Sequence, residues 1–242
     1  MGLPIRRRWL PLTVGILATV SLLTMSSPLQ AGLVTCFGVA PTITGTVGND
    51  IIPGTAGPDV IAGLGGNDTI RGGDSGDIIC GDEGDDRIIG GADNDQLSGG
   101  DGADELRAGA GLDLVSGGTG DDDLSGGEGR DELQGEEGVD VVKGQDGADL
   151  VDGGADRDVL GGGDGADEIF AGEGRDRISG GTSGDRLFGG SDNDVIRGRA
   201  GGDRLLGGGD SDRLFGGVGT DRCDGGAEHD SGFGCELSFS IP

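Results

Sequence analysis

An aspartate recurs at every ninth residue through most of this 242-residue chain. Carboxylates are oxygen donors that suit hard divalent cations, so a regular file of them is a candidate set of metal ligands. The interval holds without a single substitution, and a last, degraded copy follows at Asp230. The residues that we predict to bind metal are Asp50, Asp59, Asp68, Asp77, Asp86, Asp95, Asp104, Asp113, Asp122, Asp131, Asp140, Asp149, Asp158, Asp167, Asp176, Asp185, Asp194, Asp203, Asp212 and Asp221.

The whole nine-residue pattern repeats along the chain, and not only the aspartate. Counting from Gly45, twenty motifs follow one another without insertion or deletion as far as Asp224, and aspartate is the sixth residue of each. The 59 glycines and 3% aromatic residues leave few side chains for a thick core, which argues against a compact globule. A fixed interval is the signature of a repeat array.

Each motif has the composition of a turn followed by a short strand. Glycines at positions one, two and four permit left-handed backbone angles, so the first six positions are predicted to form the turn. The last three positions form a short strand, in which the aliphatic eighth residue, from Ile52 to Leu214, points inward. One inward side chain cannot bury a face alone, so the motifs must stack into a thin apolar seam.

The first three motifs read GTVGNDIIP, GTAGPDVIA and GLGGNDTIR. They resemble the RTX nonapeptide G-G-x-G-x-D-x-U-x, the hemolysin-type calcium-binding repeat, in which U is a large aliphatic residue. The resemblance covers residues 45–233. It implies an all-β fold, a parallel β-roll or β-solenoid with two repeats per turn, and Ca²⁺ held between stacked loops. Twenty motifs then make ten turns and a roll roughly 48 Å long.

The implied roll stacks each motif on the motif two places further along the chain. Asp50 then lies beside Asp68 on one edge, and Asp59 lies beside Asp77 on the other. Like charges about 5 Å apart repel by roughly 3 kcal/mol at an effective dielectric near 20. Calcium accepts six to eight oxygens and suits the gap between two such loops, so we expect multiple ions, about nineteen at most, whose binding is coupled to folding.

Two other interpretations of the aspartates remain open. Aspartate favours turns, so the residues could shape a metal-free solenoid, although neither Asn nor Ser ever replaces one. A permanently disordered acidic chain is the second alternative, because the net charge is −28. Disorder, however, does not require a constant interval.

Position four departs from glycine in seven motifs. Aspartate tolerates left-handed backbone angles and adds an oxygen, whereas Ser and Glu are expected to weaken or empty their sites. The seven residues are Ser75, Asp93, Asp156, Ser183, Asp192, Asp210 and Glu228.

Residues 1–31 have the layout of a secretory signal. Arg6 to Arg8 precede an apolar run from Trp9 to Met25, and small residues lead to a predicted cleavage after Ala31. A twin-arginine signal, an uncleaved membrane anchor and a lipoprotein box ending at Cys36 are the alternatives. Cleavage leaves a net charge of −31 and no membrane span, and it makes the protein secreted, either free or associated with the cell surface.

Residues 32–44 and 234–242 are predicted to cap the ends of the roll, the second with a strand over residues 237–241. The four cysteines flank these ends and allow three pairings. We favour Cys36–Cys80 and Cys223–Cys235, each fastening one cap, in an oxidising compartment. Free buried thiols are the alternative, and zinc ligation is a weaker one.

The sequence offers no convincing catalytic site, so we predict that the protein is not an enzyme. Its one histidine, His229, occupies a variable position of the degraded motif, and no G-x-S-x-G element is present. The acidity argues against nucleic acid as a partner. The predicted function is calcium binding in an exported protein, and the alternative is a structural or adhesive surface protein for which calcium is only the scaffold.

Arginine and apolar residues also recur on one outward-facing side of the predicted roll. Arg186, Arg204 and Arg222 recur every eighteen residues at position seven, and Phe170, Phe188 and Leu206 do so at position nine. Stacked in this way they could bind an anionic surface polymer or a protein. The favoured interpretation is a tolerant outer face whose arginines balance nearby acids.

Overall fold

A computed structural model describes residues 35–227 and 229–236 of the chain. Every regular element in these ranges is a β-strand, and none of the described segments is a helix long and apolar enough to cross a membrane. The described residues belong to the compact unit Val34–Pro242. The predicted signal, residues 1–31, and the predicted closing strand, residues 237–241, lie outside them.

Twenty-two strands alternate between two parallel sheets. The odd sheet contains β1 Ile43–Thr44, β3 Val60–Gly65, β5 Ile78–Glu83, β7 Gln96–Asp101, β9 Leu114–Thr119, β11 Glu132–Glu137, β13 Leu150–Ala155, β15 Glu168–Glu173, β17 Arg186–Ser191, β19 Arg204–Gly208 and β21 Arg222–Gly226. The even sheet contains β2 Ile51–Pro53, β4 Thr69–Gly73, β6 Arg87–Ala92, β8 Glu105–Gly111, β10 Asp123–Gly129, β12 Val141–Asp146, β14 Val159–Asp164, β16 Arg177–Thr182, β18 Val195–Ala200, β20 Arg213–Val218 and β22 Ser231–Phe233.

Each strand pairs with the strands two places before and after it, and the register between them is always eighteen residues. Leu124, for example, lies beside Leu106 on one side and Val142 on the other. Two motifs therefore make one turn, which confirms the parallel β-roll. The roll has about eleven turns instead of ten, because β1 precedes the first full motif and β22 comes from the degraded last one.

The strands are longer than the sequence predicts. β5 starts at position seven of one motif and continues through position three of the next, and most other strands do the same. Backbone N–H and C=O groups pair with the same position of the adjacent turn whatever the side chain, so the ladder extends into the glycines. The turn is correspondingly restricted to positions four to six.

The core is a single apolar seam between the two sheets. Position eight fills it as predicted, and side chains such as Ile61, Leu106 and Leu133 are completely buried. Position one also points inward, because Ala108 and Ala171, which replace glycine there, are buried within the same cluster. Burying each large aliphatic side chain contributes about 1.5–3 kcal/mol. Since the seam is one side chain thick, stability depends on stacking many motifs.

Both predicted disulfides are present. Cys36 is bonded to Cys80 and Cys223 to Cys235. Cys36 is fully buried in a tight turn, where it exchanges two backbone hydrogen bonds of 2.9 Å with Val39. The bridges close segments with sequence separations of 44 and 12 residues. In the chain-entropy description the longer loop contributes about 1 kcal/mol more to stability than the shorter one.

Candidate metal-binding columns

The repeat aspartates form two columns, one before the strands of each sheet. Within a column, the backbone N–H of each aspartate donates to Oδ1 of the aspartate eighteen residues later, at 2.7–3.0 Å. The even-sheet column runs through Asp50, Asp68, Asp86, Asp104, Asp122, Asp140, Asp158, Asp176, Asp194, Asp212 and Asp230. The odd-sheet column runs through Asp59, Asp77, Asp95, Asp113, Asp131, Asp149, Asp167, Asp185, Asp203 and Asp221.

The second carboxylate oxygen, Oδ2, has no such donor. In eighteen of the aspartates, every repeat member from Asp68 to Asp221, Oδ2 is buried without a hydrogen-bond partner. A buried polar atom that has lost water and found no partner costs about 1–3 kcal/mol, and more when it is charged. One buried, unpaired oxygen per motif, repeated along each column, marks the position that a bound cation would occupy as a partner.

The first loop of each column is different. Oδ2 of Asp50 accepts hydrogen bonds from the backbone N–H and the hydroxyl of Thr46, and Oδ2 of Asp59 accepts one from the backbone N–H of Thr55 at 2.6 Å. Eighteen of the twenty predicted ligands therefore share one environment, and these two do not. The available sequence signal is threonine at position two, because Thr46 and Thr55 stand there and no later motif carries threonine at that position.

Glycine at position one leaves the space beside Oδ2 open. A Cβ placed on Gly63 would lie 2.5 Å from Oδ2 of Asp68 and 2.6 Å from the carbonyl oxygen of Gly81. The carboxylate of one loop and a backbone carbonyl of the next turn thus approach the same point. Mixed carboxylate and carbonyl donors are the ligands that calcium prefers, and its flexible geometry suits a site between two loops. The residues present therefore fit a calcium ion.

Side chains alone would not complete such a site. In residues 35–227 and 229–236, no group of three or more His, Cys, Asp or Glu side chains gathers where it could hold a metal ion. The carboxylates come from a column, so most of the other donors must be backbone carbonyls. This donor set suits calcium better than zinc, which takes nitrogen and sulfur ligands.

Burial raises the pKa of the column carboxyls from Asp68 to Asp212. The pKa of Asp86, Asp95 and Asp122 rises to about 7, chiefly through desolvation and to a smaller degree through the charges of neighbouring aspartates. The N–H donated by the preceding aspartate of the column opposes this rise. Without a compensating cation, the ionised columns are therefore unfavourable in the folded roll near neutral pH.

The motifs that lack glycine at position four have a different backbone angle there. The φ angles of Ser75, Asp93 and Ser183 are 73°, 67° and 72°, whereas those of Gly84 and Gly102 at the same position are 124° and 138°. The turn therefore changes locally in these motifs, and the expected weakening of their sites stays a prediction. Glu228 lies outside the described residues.

Position five contributes contacts that the sequence analysis missed. Its Asn and Asp side chains accept hydrogen bonds from the backbone N–H of position five one turn later. Asp85 accepts from Ala103 at 3.0 Å, and Asn94 accepts from Leu112 at 2.9 Å. The frequent Asn and Asp at this otherwise variable position were the available signal. These bonds tie successive turns together beside each column.

The two parallel sheets, the eighteen-residue register and the columns of buried carboxylates define a β-roll repeat protein with a cation-compatible edge along each side. The family model described as RTX calcium-binding nonapeptide repeat matches the chain in overlapping and adjoining segments from residue 44 to residue 231. The chain belongs to this family, and membership implies Ca²⁺ as its ligand. A comparison with curated proteins found no match. The two disulfides fit an oxidising, extracellular environment.

Proposed function

We propose that this protein is an exported calcium-binding module whose roll folds when calcium occupies its aspartate columns. The observation that carries the proposal is the buried, unpaired Oδ2 of eighteen successive repeat aspartates. Bound calcium supplies positive charge between loops that otherwise stack carboxylate on carboxylate. The proposed ligands are these eighteen aspartates, from Asp68 to Asp221, together with turn carbonyls; Asp50 and Asp59 play a smaller part because their Oδ2 atoms are already bonded.

Folding and binding are coupled because the site does not exist in the unfolded chain. Two loops from successive turns must be in register before a carboxylate and a carbonyl converge. Extracellular calcium sites commonly bind at about 10⁻⁴–10⁻³ M, far above cytosolic calcium. The chain would thus remain unfolded before export and fold afterwards, with residues 1–31 as the export signal.

Far-UV circular dichroism of the purified protein tests the coupling. Calcium is added from zero to about 10 mM in a chelator-treated sample, and magnesium serves as the control because it demands a rigid octahedron and gives up its water reluctantly. We expect a cooperative gain of β signal with calcium and none with magnesium. A β spectrum that stays unchanged in chelator would mean a metal-independent solenoid and would overturn the proposal.

Mass spectrometry of the exported protein tests the export signal separately. We expect the chain to start at Gly32. A mature protein that retains residues 1–31, or that starts elsewhere, would contradict the predicted cleavage without affecting calcium binding.

A further inference from the structure

The outer face of the odd sheet carries two blocks of opposite charge. On β11, β13 and β15 the acidic block consists of Glu132, Asp152 and Glu168, and on β17, β19 and β21 the basic block consists of Arg186, Arg204 and Arg222. Five of these six side chains are exposed, and Glu168 is half-buried. The charge changes sign between β15 and β17, which are hydrogen-bonded neighbours.

An exposed aromatic pair marks the boundary between the blocks. The rings of Phe170 and Phe188 stack with centroids 4.6 Å apart and planes 5° from parallel, and Phe170 is 37% exposed. Leu206 continues the same column on β19. Position two is glycine on β13, β15, β17 and β19, so no side chain stands beside this apolar column at that position.

Few acidic residues stand near the basic block on the sheet face. Arg186 lies 3.8 Å from Glu168 across the boundary, and Asp224 lies at the far end of the block on β21. Outside the columns, the only acids of residues 186–222 are Asp192 and Asp210. Both occupy position four in the turns and not the sheet face. The expectation that the arginines balance adjacent acids stays a prediction.

We propose that this face binds a second copy of the same chain, face to face, about a twofold axis that runs parallel to the strands between β15 and β17. This operation lays β11 over the partner's β21, β13 over its β19 and β15 over its β17. Glu168 then faces Arg186 of the partner subunit, and Glu132 faces the partner's Arg222, whereas Asp152, at position nine, faces the partner's Leu206 beside Arg204 of the partner subunit. The aromatic pairs meet at the axis, because Phe170 faces the partner's Phe188.

Charge order favours a second copy over an anionic polymer. A polyanion bound to the basic block would be repelled by the acidic block, which begins on the neighbouring strand. A second copy presents both blocks in reverse order, so each block meets the opposite charge. An isologous twofold contact requires this self-complementarity. The inference needs the folded roll and therefore calcium, but it concerns the outer sheet face and not the columns.

The contact area predicts a weak association. Six strands about 4.8 Å apart and about five residues wide give roughly 500 Å² per copy, or about 1,000 Å² in total. Interfaces below about 1,200 Å² belong to transient complexes. Its ion pairs are exposed at the rim, so they are screened as ionic strength rises. We therefore expect a salt-sensitive dimer.

Sedimentation equilibrium of the calcium-loaded protein, expressed from its complete sequence, tests this contact at about 50 mM and about 500 mM salt. The variant R186E/R204E/R222E and the variant E132R/D152R/E168R should each weaken the dimer at least about tenfold at low salt. An equimolar mixture of the two should restore association as a heterodimer. The matched control is R177E/R197E/R213E, which makes the same charge change on the even sheet and should dimerise like the wild type.

Circular dichroism in calcium must show the same β signal for all three variants, which separates this test from the folding proposal. The contact is disproved if the R186E/R204E/R222E variant dimerises like the wild type or if mixing the two variants restores nothing. A monomeric wild type that is retained on immobilised polygalacturonate through the three arginines would assign the face to an anionic polymer and would also disprove the dimer.

Discussion

At the scale of the residue, the two oxygens of each column aspartate have different roles. Oδ1 accepts the N–H of the preceding turn, and Oδ2 remains buried and unpaired. Asparagine could accept the same hydrogen bond, but it would put a neutral amide where the negative charge is needed for a cation. This division explains why a residue that merely formed turns would have been replaceable, whereas aspartate is present in every motif.

Asp122→Asn removes one charge from the middle of the even-sheet column and keeps the size of the side chain. A hydrogen bond or ligand contact to a charged group contributes about 1.5–3 kcal/mol, so calcium affinity at the affected level should fall roughly tenfold or more. Calorimetric calcium titration should show a lower stoichiometry or a new weak class of sites. Asp123→Asn is the control, since the exposed Asp123 pairs with Lys143 on the outer face; equal titration curves for the two variants would contradict the assignment.

Protons should compete with calcium for the columns. Desolvation raises the folded-state pKa of Asp158, Asp185 and Asp194 to about 7. A raised acid pKa favours the folded state below the unfolded pKa, about 3.9 for Asp, and this advantage is lost as pH rises through the folded value. The calcium-free roll should therefore gain stability from pH 7 down to pH 4, while calcium affinity falls over the same range.

Far-UV circular dichroism in chelator and calcium titrations, both measured between pH 4 and pH 7.5, check these opposite trends. Chelator-treated protein that gains no β structure on acidification would contradict the stated sign. A calcium affinity that does not change with pH would show that the buried carboxyls are not the ligands.

At the scale of the element, the unit is a strand that runs into the glycines, followed by a three-residue turn. Position one is inside the roll, next to both the apolar seam and the carboxylate. Glycine is needed there for space and not for its backbone freedom. Ala108 and Ala171 show that the position can hold a methyl group where the neighbouring loops allow it.

Gly99→Ala tests this crowding. A Cβ at residue 99 would overlap Oδ2 of Asp104 and lie 2.6 Å from the carbonyl oxygen of Gly117. Overpacking of this kind costs about 1–3 kcal/mol, so the thermal midpoint and the calcium affinity should both fall. Gly161→Ala is the matched control, because no atom lies within 4 Å of its added Cβ. Similar losses in both variants would show that the effect is not specific to the column, since relief of glycine entropy alone would stabilise the fold.

At the scale of the whole molecule, the roll is a one-dimensional stack in which each turn contacts only its neighbours. The seam is continuous, and the disulfides fasten the described segments at its two ends. The roll can therefore gain or lose whole turns of eighteen residues, but the nine-residue spacing of the motifs must be kept. A slip of one residue would turn the buried aliphatic residues to the outside.

Deleting residues 99–116 removes one full turn and joins Ser98 to Gly117 in phase. We expect this variant to fold in calcium, to keep nearly the same thermal midpoint and to bind fewer ions, because two column aspartates are lost. Deleting residues 99–115 instead breaks the phase by one residue and should abolish cooperative folding beyond the junction. Circular dichroism and calcium stoichiometry compare the two, and equal behaviour would contradict the strict register.

The repeat, the β-roll, the stacking of Asp50 on Asp68 and both disulfide pairs were predictable from the residues and the family resemblance. They depend on a period that a linear sequence displays, because equal spacing along the chain becomes equal spacing along the roll. Other features arise between residues that are eighteen places apart and meet only in three dimensions. These features include the division between Oδ1 and Oδ2, the inward position one and the extension of strands into glycine. The charge boundary between β15 and β17 is also one of them, because it appears only when alternate motifs are sorted onto the same sheet.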